Sequence, residues 1–133
     1  MIASDIMTRK VITIHPEASV QEAAQLLDQF RISGLPVIDA RDNLIGIITE
    51  ADILGKVNRY GLLDQDGLRV ADIMSREVIT VDEETPVSDI ATLLTERKIK
   101  RVPVVRQGRP VGIVSRGDIV HAVAMGHLII RQW

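Results

Sequence analysis

The sequence predicts an α+β fold in which a β-α-β-β-α unit occurs twice and the two copies pack with pseudo-twofold symmetry. The stretch SDIMTRKVITI at Ser4–Ile14 recurs as ADIMSREVITV at Ala71–Val81, and the later segments of both copies follow in the same order. Within each copy, short β-branched runs alternate with helical apolar patterns. One copy alone is too small to bury enough apolar surface for a stable core, so we expect the two copies to pack sheet against sheet.

Each copy begins with a short strand and continues into a capped helix. The β-branched runs Val11–Ile14 and Val78–Val81 predict the strands. In the first copy, Ser19 opens a capping-box pattern that is followed by apolar residues at helical spacing. In the second copy, we expect Thr85 to be the N-cap and Pro86 the first helical residue.

A β-hairpin and a second helix complete each copy. The strands LPVID and LIGIIT flank a turn at Ala40–Asn43, and the strands VPVVR and PVGIVS flank Gln107–Arg109. Second helices are predicted over Glu50–Val57 and Arg116–Ala124. The predicted organisation is a first repeat at 1–57, a connector at 58–69, a second repeat at 70–124 and an apolar tail at 125–133. We expect the tail to pack back on the core or to be buried at a dimer contact.

Composition narrows the classes of function. Of the 133 residues, 46% are hydrophobic, which is enough for a core. The 16 basic and 18 acidic residues nearly balance, and this argues against a broad nucleic-acid surface. No apolar window approaches the ~20 residues of a membrane span. With no cysteine and no leader-like segment, the default expectation is a soluble cytoplasmic protein without membrane association.

No catalytic or metal-binding pattern is visible in the sequence. His121 and His127 are not separated by three or four residues, so they do not share a helix face as metal ligands would. The serines have no adjacent histidine signature, and no glycine-rich phosphate loop occurs. We therefore expect neither an enzyme nor a metal site.

A hydroxyl residue and an aspartate recur at the end of the last strand of each copy. GIITEADI contains Thr49 and Asp52, and GIVSRGDI contains Ser115 and Asp118. One interpretation is simple helix capping, with an N-cap hydroxyl and an aspartate at the third helical position. The other is ligand binding, because one carboxylate can accept hydrogen bonds from both hydroxyls of a ribose. The local pattern alone leaves both interpretations open.

These motifs, in this order and twice over, resemble the CBS (cystathionine-β-synthase) domain pair, also called a Bateman module. The likeness covers Ile2–Val57 and Val70–Ala124. It implies a regulatory ligand-sensing module that binds AMP, ADP, ATP or an S-adenosylmethionine-like ligand in two clefts between the repeats. The nucleotide is then a regulatory ligand and no cofactor is implied. The resemblance also implies a homodimer. The chain carries no output domain, so we expect it to act on a protein partner in trans or to be a fragment of a longer protein.

The resemblance also implies which residues bind. In the family, the aspartate holds the ribose hydroxyls, the hydroxyl residue contacts ribose or phosphate, and residues near the proline of the other repeat flank the base and reach phosphates. Carried over, one cleft contains Thr49, Asp52, Thr80, Lys100, Arg101, Val102 and Pro103. The other contains Ser115, Arg116, Asp118, Thr13, Ser33, Gly34, Leu35 and Pro36. Lys100 and Arg101 make the first cleft the better candidate for a phosphorylated ligand. In the second, Arg116 either compensates for the missing cation pair or points into solvent.

The sequence departs from the family pattern in one respect. Many nucleotide-binding members carry a second hydroxyl residue directly before the aspartate, where this chain has Ala51 and Gly117. Each departure removes one hydrogen bond, worth roughly 0.5–1.5 kcal/mol. The alternative function is therefore a ligand-free structural dimerisation module whose motifs serve capping and packing.

Overall fold

The structure is a computed structural model, and it describes residues 1–57 and 67–128. Those residues form helices α1 (Ala3–Ile6), α2 (Val20–Phe30), α3 (Glu50–Leu54), α4 (Val70–Ile73), α5 (Val87–Glu96) and α6 (Arg116–Ala124). Their strands are β1 (Gly34–Ile38), β2 (Leu44–Thr49), β3 (Arg101–Arg106) and β4 (Arg109–Ser115). β1 pairs with β2 and β3 with β4, both antiparallel. The predicted α+β class, with its two repeats, is confirmed.

The chain divides into two compact units. The β1–β2 unit is Ile12–Val78, and the β3–β4 unit combines Met1–Val11 with Ile79–Trp133. The predicted boundaries at 57, 69 and 124 describe the duplication along the chain and stay a prediction. Most of the predicted connector, at 58–66, and the end of the predicted tail, at 129–133, lie outside the described residues.

The segment that opens each repeat is paired with the hairpin of the other repeat. Thr8 donates its amide to the carbonyl of Ile113 at 2.8 Å and accepts from the amide of Ile113 at 3.0 Å. In the β1–β2 unit, Ser75 and Ile47 exchange the same two bonds, both at 2.9 Å. The DIM segment of the first repeat therefore belongs to the β3–β4 unit, and that of the second repeat belongs to the β1–β2 unit.

Each DIM segment contains a one-turn helix that the sequence analysis did not predict. The amide of Ile2 donates to Asp5 Oδ2 at 2.8 Å at the start of α1, and that of Arg69 donates to Asp72 Oδ2 at 2.7 Å at the start of α4. The duplicated aspartate thus satisfies a backbone donor that a short helix leaves unpaired. Tertiary contacts hold these helices, since four residues are too few to be stable alone.

The core of each unit consists of the inner faces of its helix and hairpin. α2 buries Val20, Ala23 and Leu27, and α5 buries Val87, Ile90 and Leu94, both at helical spacing. These faces cover hairpin residues that are themselves fully buried, among them Leu35, Val37, Val102 and Val104. Within residues 1–57 and 67–128, no helix has the length and apolar character required to cross a bilayer.

The strands predicted at 11–14 and 78–81 are each reduced to a single parallel bridge, Ile14 with Val37 and Val81 with Val104. The chain turns away directly afterwards. Pro16 has no amide with which to continue the first ladder. After Val81, Asp82 and Thr85 close a turn in which the amide of Asp82 donates to Thr85 Oγ1 at 3.1 Å. One residue of each predicted strand therefore joins the hairpin.

The strands of the two hairpins agree with the prediction to within one residue at each end, and two of the helix predictions need correction. Ser19 caps α2 by accepting from the amide of Glu22 at 3.0 Å, and α6 spans its predicted range. Thr85 was wrongly predicted as the N-cap of α5, because its hydroxyl closes the Asp82 turn and Pro86 takes the cap position. The predicted helix at 50–57 ends at Leu54 instead.

Candidate functional site

The junction between β2 and α3 is a closed hydrogen-bonded ring. The amide and the hydroxyl of Thr49 donate to Asp52 Oδ2 at 2.8 and 3.0 Å, and the amide of Asp52 donates to Thr49 Oγ1 at 3.3 Å. Ser115 and Asp118 form the same ring between β4 and α6, with the same three distances. The capping interpretation of these motifs is confirmed.

The ring uses only one oxygen of each carboxylate. Both bonds that each aspartate accepts go to Oδ2, and among the described residues Oδ1 of Asp52 and Oδ1 of Asp118 accept none. Both side chains are half-buried. Capping and ligand binding are thus compatible, since the cap fixes the carboxylate and leaves its second oxygen as an acceptor.

The hairpin register places the start of one strand beside the ring. In the β3–β4 unit, Arg101 is opposite Ser115, and the amide of Arg116 donates to the carbonyl of Lys100 at 3.0 Å. The β1–β2 unit has the same arrangement, with Gly34 opposite Thr49 and the amide of Glu50 donating to the carbonyl of Ser33 at 3.0 Å.

The two predicted threonines reach the same end of each hairpin. The amide of Val81 donates to the carbonyl of Pro103 at 3.1 Å, and that of Ile14 donates to the carbonyl of Pro36 at 3.1 Å. The backbones of Thr80 and Thr13, one residue earlier, therefore lie alongside the beginnings of β3 and β1.

The structure thus groups the predicted site residues by repeat. Thr80, Lys100, Arg101, Ser115 and Asp118 converge in the β3–β4 unit, and their counterparts Thr13, Ser33, Gly34, Thr49 and Asp52 converge in the β1–β2 unit. We did not predict this same-repeat grouping. The signal was present in the short hairpin turn, which fixes the end of β4 opposite the start of β3. The predicted cross-repeat grouping joins residues of different units and stays a prediction.

Four predicted residues lie inside the strands. Leu35 and Val102 are 0% exposed and belong to the apolar cores of their units. Pro36 and Pro103, which follow them, are also buried. Their side chains hold the strands in place beside the rings.

The two junctions differ in charge at matching positions. Beside the Ser115–Asp118 ring stand Lys100, Arg101 and Arg116, whereas Ser33, Gly34 and Glu50 occupy the corresponding positions beside the Thr49–Asp52 ring. The Arg116 side chain donates through Nε to the carbonyl of Ile99 at 3.1 Å, in its own unit. One junction therefore carries three cationic residues, and the other carries none.

Two other features of the described chain bear on function. A groove of about 380 Å³ lies between α5 and α6 and is lined by Ala91, Leu94, Thr95, Arg116 and Ile119. Among the residues that line this groove, Arg116 is the one that the sequence analysis predicted as a site residue.

Within residues 1–57 and 67–128, no group of three or more histidine, aspartate or glutamate side chains could hold a metal ion.

Comparison with known proteins identifies similar chains. The sequence model of the CBS domain matches residues 3–59 and 70–125. CBS domain-containing protein YhcV of Bacillus subtilis is 34% identical over 116 residues, which are 86% of this chain and 80% of that protein. Inosine-5'-monophosphate dehydrogenase and L-aspartate semialdehyde sulfurtransferase of Methanocaldococcus jannaschii are 30% and 38% identical over 89% of this chain. The chain spans only 23% and 22% of those two proteins.

Solved structures resemble the whole fold. The CBS domain pair of protein MJ0100, in complex with 5'-methylthioadenosine and S-adenosyl-L-methionine, is 35% identical with a TM-score of 0.83, and the match covers 95% of this chain and 98% of that one. CBSX2, a CBS-pair protein of Arabidopsis thaliana, has been solved in complex with AMP. That complex is 33% identical with a TM-score of 0.85, over 96% and 98% of the two chains.

Proposed function

The chain belongs to the CBS domain family, and from this we propose that it is a regulatory module that binds an adenosine-containing ligand and transmits its occupancy to a protein partner. The observation that carries the proposal is the duplicated ring, in which one carboxylate oxygen of a fixed aspartate holds the ring and the other accepts no bond from the residues that the structure describes. Relatives that match over almost their entire length bind AMP, 5'-methylthioadenosine and S-adenosyl-L-methionine, which share an adenosine moiety.

The ring suits a ribose for a physical reason. The two adjacent hydroxyls of a ribose are donors, and an ionised carboxylate oxygen accepts both through charge-assisted bonds, which are stronger than neutral ones. The bonds from Ser115 to Asp118 Oδ2 already hold the carboxylate in one rotamer. Binding therefore costs less side-chain entropy than it would with a mobile aspartate.

The regulatory part of the proposal concerns what binding changes. A ligand shifts an equilibrium between two arrangements only by the difference in its affinity for them. We propose that occupancy biases the arrangement of this module and that a protein partner in the cytoplasm responds to it. The catalytic activities of the longer relatives are not carried over, because the matched region is less than a quarter of those proteins.

Calorimetric titration of ligand-stripped protein with AMP, ATP and S-adenosylmethionine tests the proposal. Guanosine monophosphate is the matched control for adenine selectivity. We expect at least one adenosine ligand to bind, and at a hundred times its Kd it should add about 2.7 kcal/mol to the free energy of unfolding. The same ring bonds serve as helix caps, which favours the structural dimerisation module as the second candidate. Absence of binding by all three ligands would support that candidate.

We further propose that two copies associate through their helices, as the resemblance implied. Large apolar side chains at helix ends and on helix surfaces are exposed, namely Leu54 (70%), Val120 (66%) and Met125 (58%). Such side chains are costly to leave in water when they form a patch. The exposed apolar helix residues support an association surface in each unit.

A further inference from the structure

We propose that two copies of this chain can exchange the segment Met1–Val11, here called the arm, so that the arm of each copy completes the β3–β4 unit of the other. The arm belongs to the β3–β4 unit together with Ile79–Trp133. Ile12, the next residue along the chain, already belongs to the β1–β2 unit. The arm is therefore continuous in sequence with one unit while it packs in the other. This goes beyond the helix association proposed above, because here a second copy supplies part of the fold itself.

Backbone hydrogen bonds attach the arm to its unit near both of its ends. The amide of Ala3 donates to the carbonyl of Thr85 at 2.8 Å. Further along, the amide of Thr8 donates to the carbonyl of Ile113 at 2.8 Å, and the amide of Ile113 donates to the carbonyl of Thr8 at 3.0 Å. Main-chain bonds of this kind join one peptide segment to another, as in the addition of a β-strand. An arm from a second molecule can make the same bonds.

The arm also supplies side chains to the apolar core of the β3–β4 unit. Ala3 is 0% and Met7 is 8% exposed, and both lie in one cluster with Val114. Without an arm, this apolar surface would face water, which is unfavourable. The similar segment of the second repeat is already in use, because Ser75 is paired with Ile47 in the β1–β2 unit. The arm of a second copy has the required sequence and can make every contact that the chain's own arm makes.

A short connection joins the arm to the β1–β2 unit. Residues 9–11 lie outside the helices and strands, and Arg9 and Lys10 are exposed. The guanidinium of Arg9 donates to the carbonyl of Ser4 at 3.0 Å, and this bond lies inside the arm and is kept when the arm moves. Dihedral changes in a few such residues can redirect the arm without breaking a helix or strand. Exchange of an identical element is a low-cost route to a dimer, since the contacts are those already made within one copy.

Protein concentration decides which arm is bound. A tethered segment competes with an effective concentration on the order of 1 mM when its connection is short and flexible. At about 10 µM protein the chain's own arm therefore occupies the β3–β4 unit, and near about 1 mM the arm of a second copy competes with it. The exchanged dimer then persists, because both arms must leave before the two copies separate.

Cysteine pairs can record which arm is bound, because the chain contains no cysteine of its own. Thr8→Cys with Ile113→Cys places one thiol on the arm and one on the hairpin. Residues in such a hydrogen-bonded pair have Cα atoms about 5.5 Å apart, within the range that a disulfide spans. A disulfide within one chain therefore marks the chain's own arm, and a disulfide between two chains marks an exchanged arm.

The experiment varies the concentration at which this variant folds. The full chain is refolded from urea at about 10 µM and at about 1 mM, oxidised with glutathione disulfide and separated on a non-reducing gel. We expect an internal disulfide at the lower concentration and a covalent dimer at the higher one, with the dimer fraction rising roughly ten-fold or more. Mass spectrometry of the dimer band should find position 8 joined to position 113 and not to a second position 8.

A second trap and a matched control complete the design. Ile2→Cys with Pro86→Cys reports on the other end of the arm, where these residues form an antiparallel bridge, and it should give the same result if the first variant folds poorly. Ile47→Cys with Ser75→Cys is the control. Ser75 and Ile47 exchange the same two backbone bonds in the β1–β2 unit, but neither residue belongs to the arm. We expect this pair to form only an internal disulfide at both concentrations.

The proposal is overturned if both arm pairs give only internal disulfides at about 1 mM, the concentration at which a second arm should compete. It also fails if the control pair gives as much covalent dimer, since whole repeats and not the arm then exchange. A dimer joined from position 8 to position 8 marks a chance collision and counts against it as well. The adenosine titration is a separate measurement, so the proposed function stands or falls independently.

Discussion

Met7 fills the space beside Gly112 that a side chain there would occupy. A Cβ atom at Gly112 would overlap the sulfur of Met7, with the Met7 Cγ at 2.8 Å. Met74 has the same relationship to Gly46, where a Cβ would lie 2.8 Å from its sulfur and 2.9 Å from the carbonyl oxygen of Ser75. The methionine of each DIM motif therefore packs on the glycine of the other repeat's last strand, and the same contact forms once in each unit.

Replacing Gly112 with alanine tests this packing. The added methyl group must displace the buried Met7 side chain, and overpacking of this kind costs about 1–3 kcal/mol. We expect urea denaturation of Gly112→Ala to show a loss of that size in the free energy of unfolding. In the double variant Met7→Ala, Gly112→Ala, the two costs should be less than additive, because the smaller side chain removes the overlap.

Gly117→Ala is the matched control. Its Cβ would meet nothing closer than Ser115 Oγ at 3.7 Å, and the first repeat has Ala51 at this position. Alanine loses less backbone entropy than glycine on folding, so we expect a gain of about 0.4–1 kcal/mol. Equal effects of the two substitutions would show that Met7 does not pack on Gly112 in solution.

The hydroxyl caps should contribute to stability without any ligand. Ser115→Ala removes the acceptor for the amide of Asp118 and one donor to its carboxylate, and loss of such a cap costs typically about 1 kcal/mol. Ser88→Ala on the exposed surface of α5 is the control and should cost nothing. Thermal unfolding of the ligand-stripped proteins measures both. A Ser115→Ala protein as stable as wild type would mean that the ring is not formed in the free state.

One exposed ion pair should make the fold sensitive to acid. Arg106 donates from Nε and a terminal nitrogen to the two carboxylate oxygens of Glu83, at 2.6 and 2.7 Å. The hydrogen bonds from Arg106 lower the pKa of Glu83 below its usual range. The stabilisation is therefore present above the ordinary glutamate pKa, about 4.3, and is lost as pH falls through the lower folded value.

Urea denaturation at pH 7 and pH 3 measures this contribution. Glu83→Gln cannot titrate, so we expect it to lose less stability on acidification than the wild type. Glu84→Gln is the control, since the Glu84 side chain makes no hydrogen bond within the described residues, and it should behave as the wild type does. A wild-type acid sensitivity that Glu83→Gln leaves unchanged would assign the effect to other groups.

The proposed homodimer makes a prediction about Val120. This side chain is 66% exposed on α6, and Val120→Asp would place a charge in the proposed interface. We expect sedimentation velocity to show a shift from dimer to monomer in this variant. Ala40→Asp adds the same charge to the β1–β2 turn and should remain dimeric. If the wild type sediments as a monomer, or if Val120→Asp stays dimeric, the helix surface is not the interface.

The sequence by itself determined the features that depend on neighbours a few residues apart. The Ser115–Asp118 and Thr49–Asp52 rings join residues three apart, so the hydroxyl and the carboxylate could be recognised in the sequence as a capping motif. The hairpins followed from turn residues, and Gln107 and Gly108 do adopt the positive φ values of a tight two-residue turn. The duplication pointed to the family, because each motif that resembles the family occurs twice and in the same order.

Only the tertiary structure decided which distant segments meet. The pairing of Thr8 with Ile113 and the packing of Met7 on Gly112 join residues from opposite ends of the chain, and no local pattern specifies them. The same holds for the hairpin register that sets Arg101 opposite Ser115, whereas the predicted cleft that joins Lys100 and Arg101 to Thr49 across the repeats stays a prediction. Because the two repeats are so alike, either hairpin could accept either DIM segment by residue type. Which DIM segment pairs with which hairpin depends on how the chain is connected and on how the complete core packs. Neither can be read from residues that are close together in the sequence.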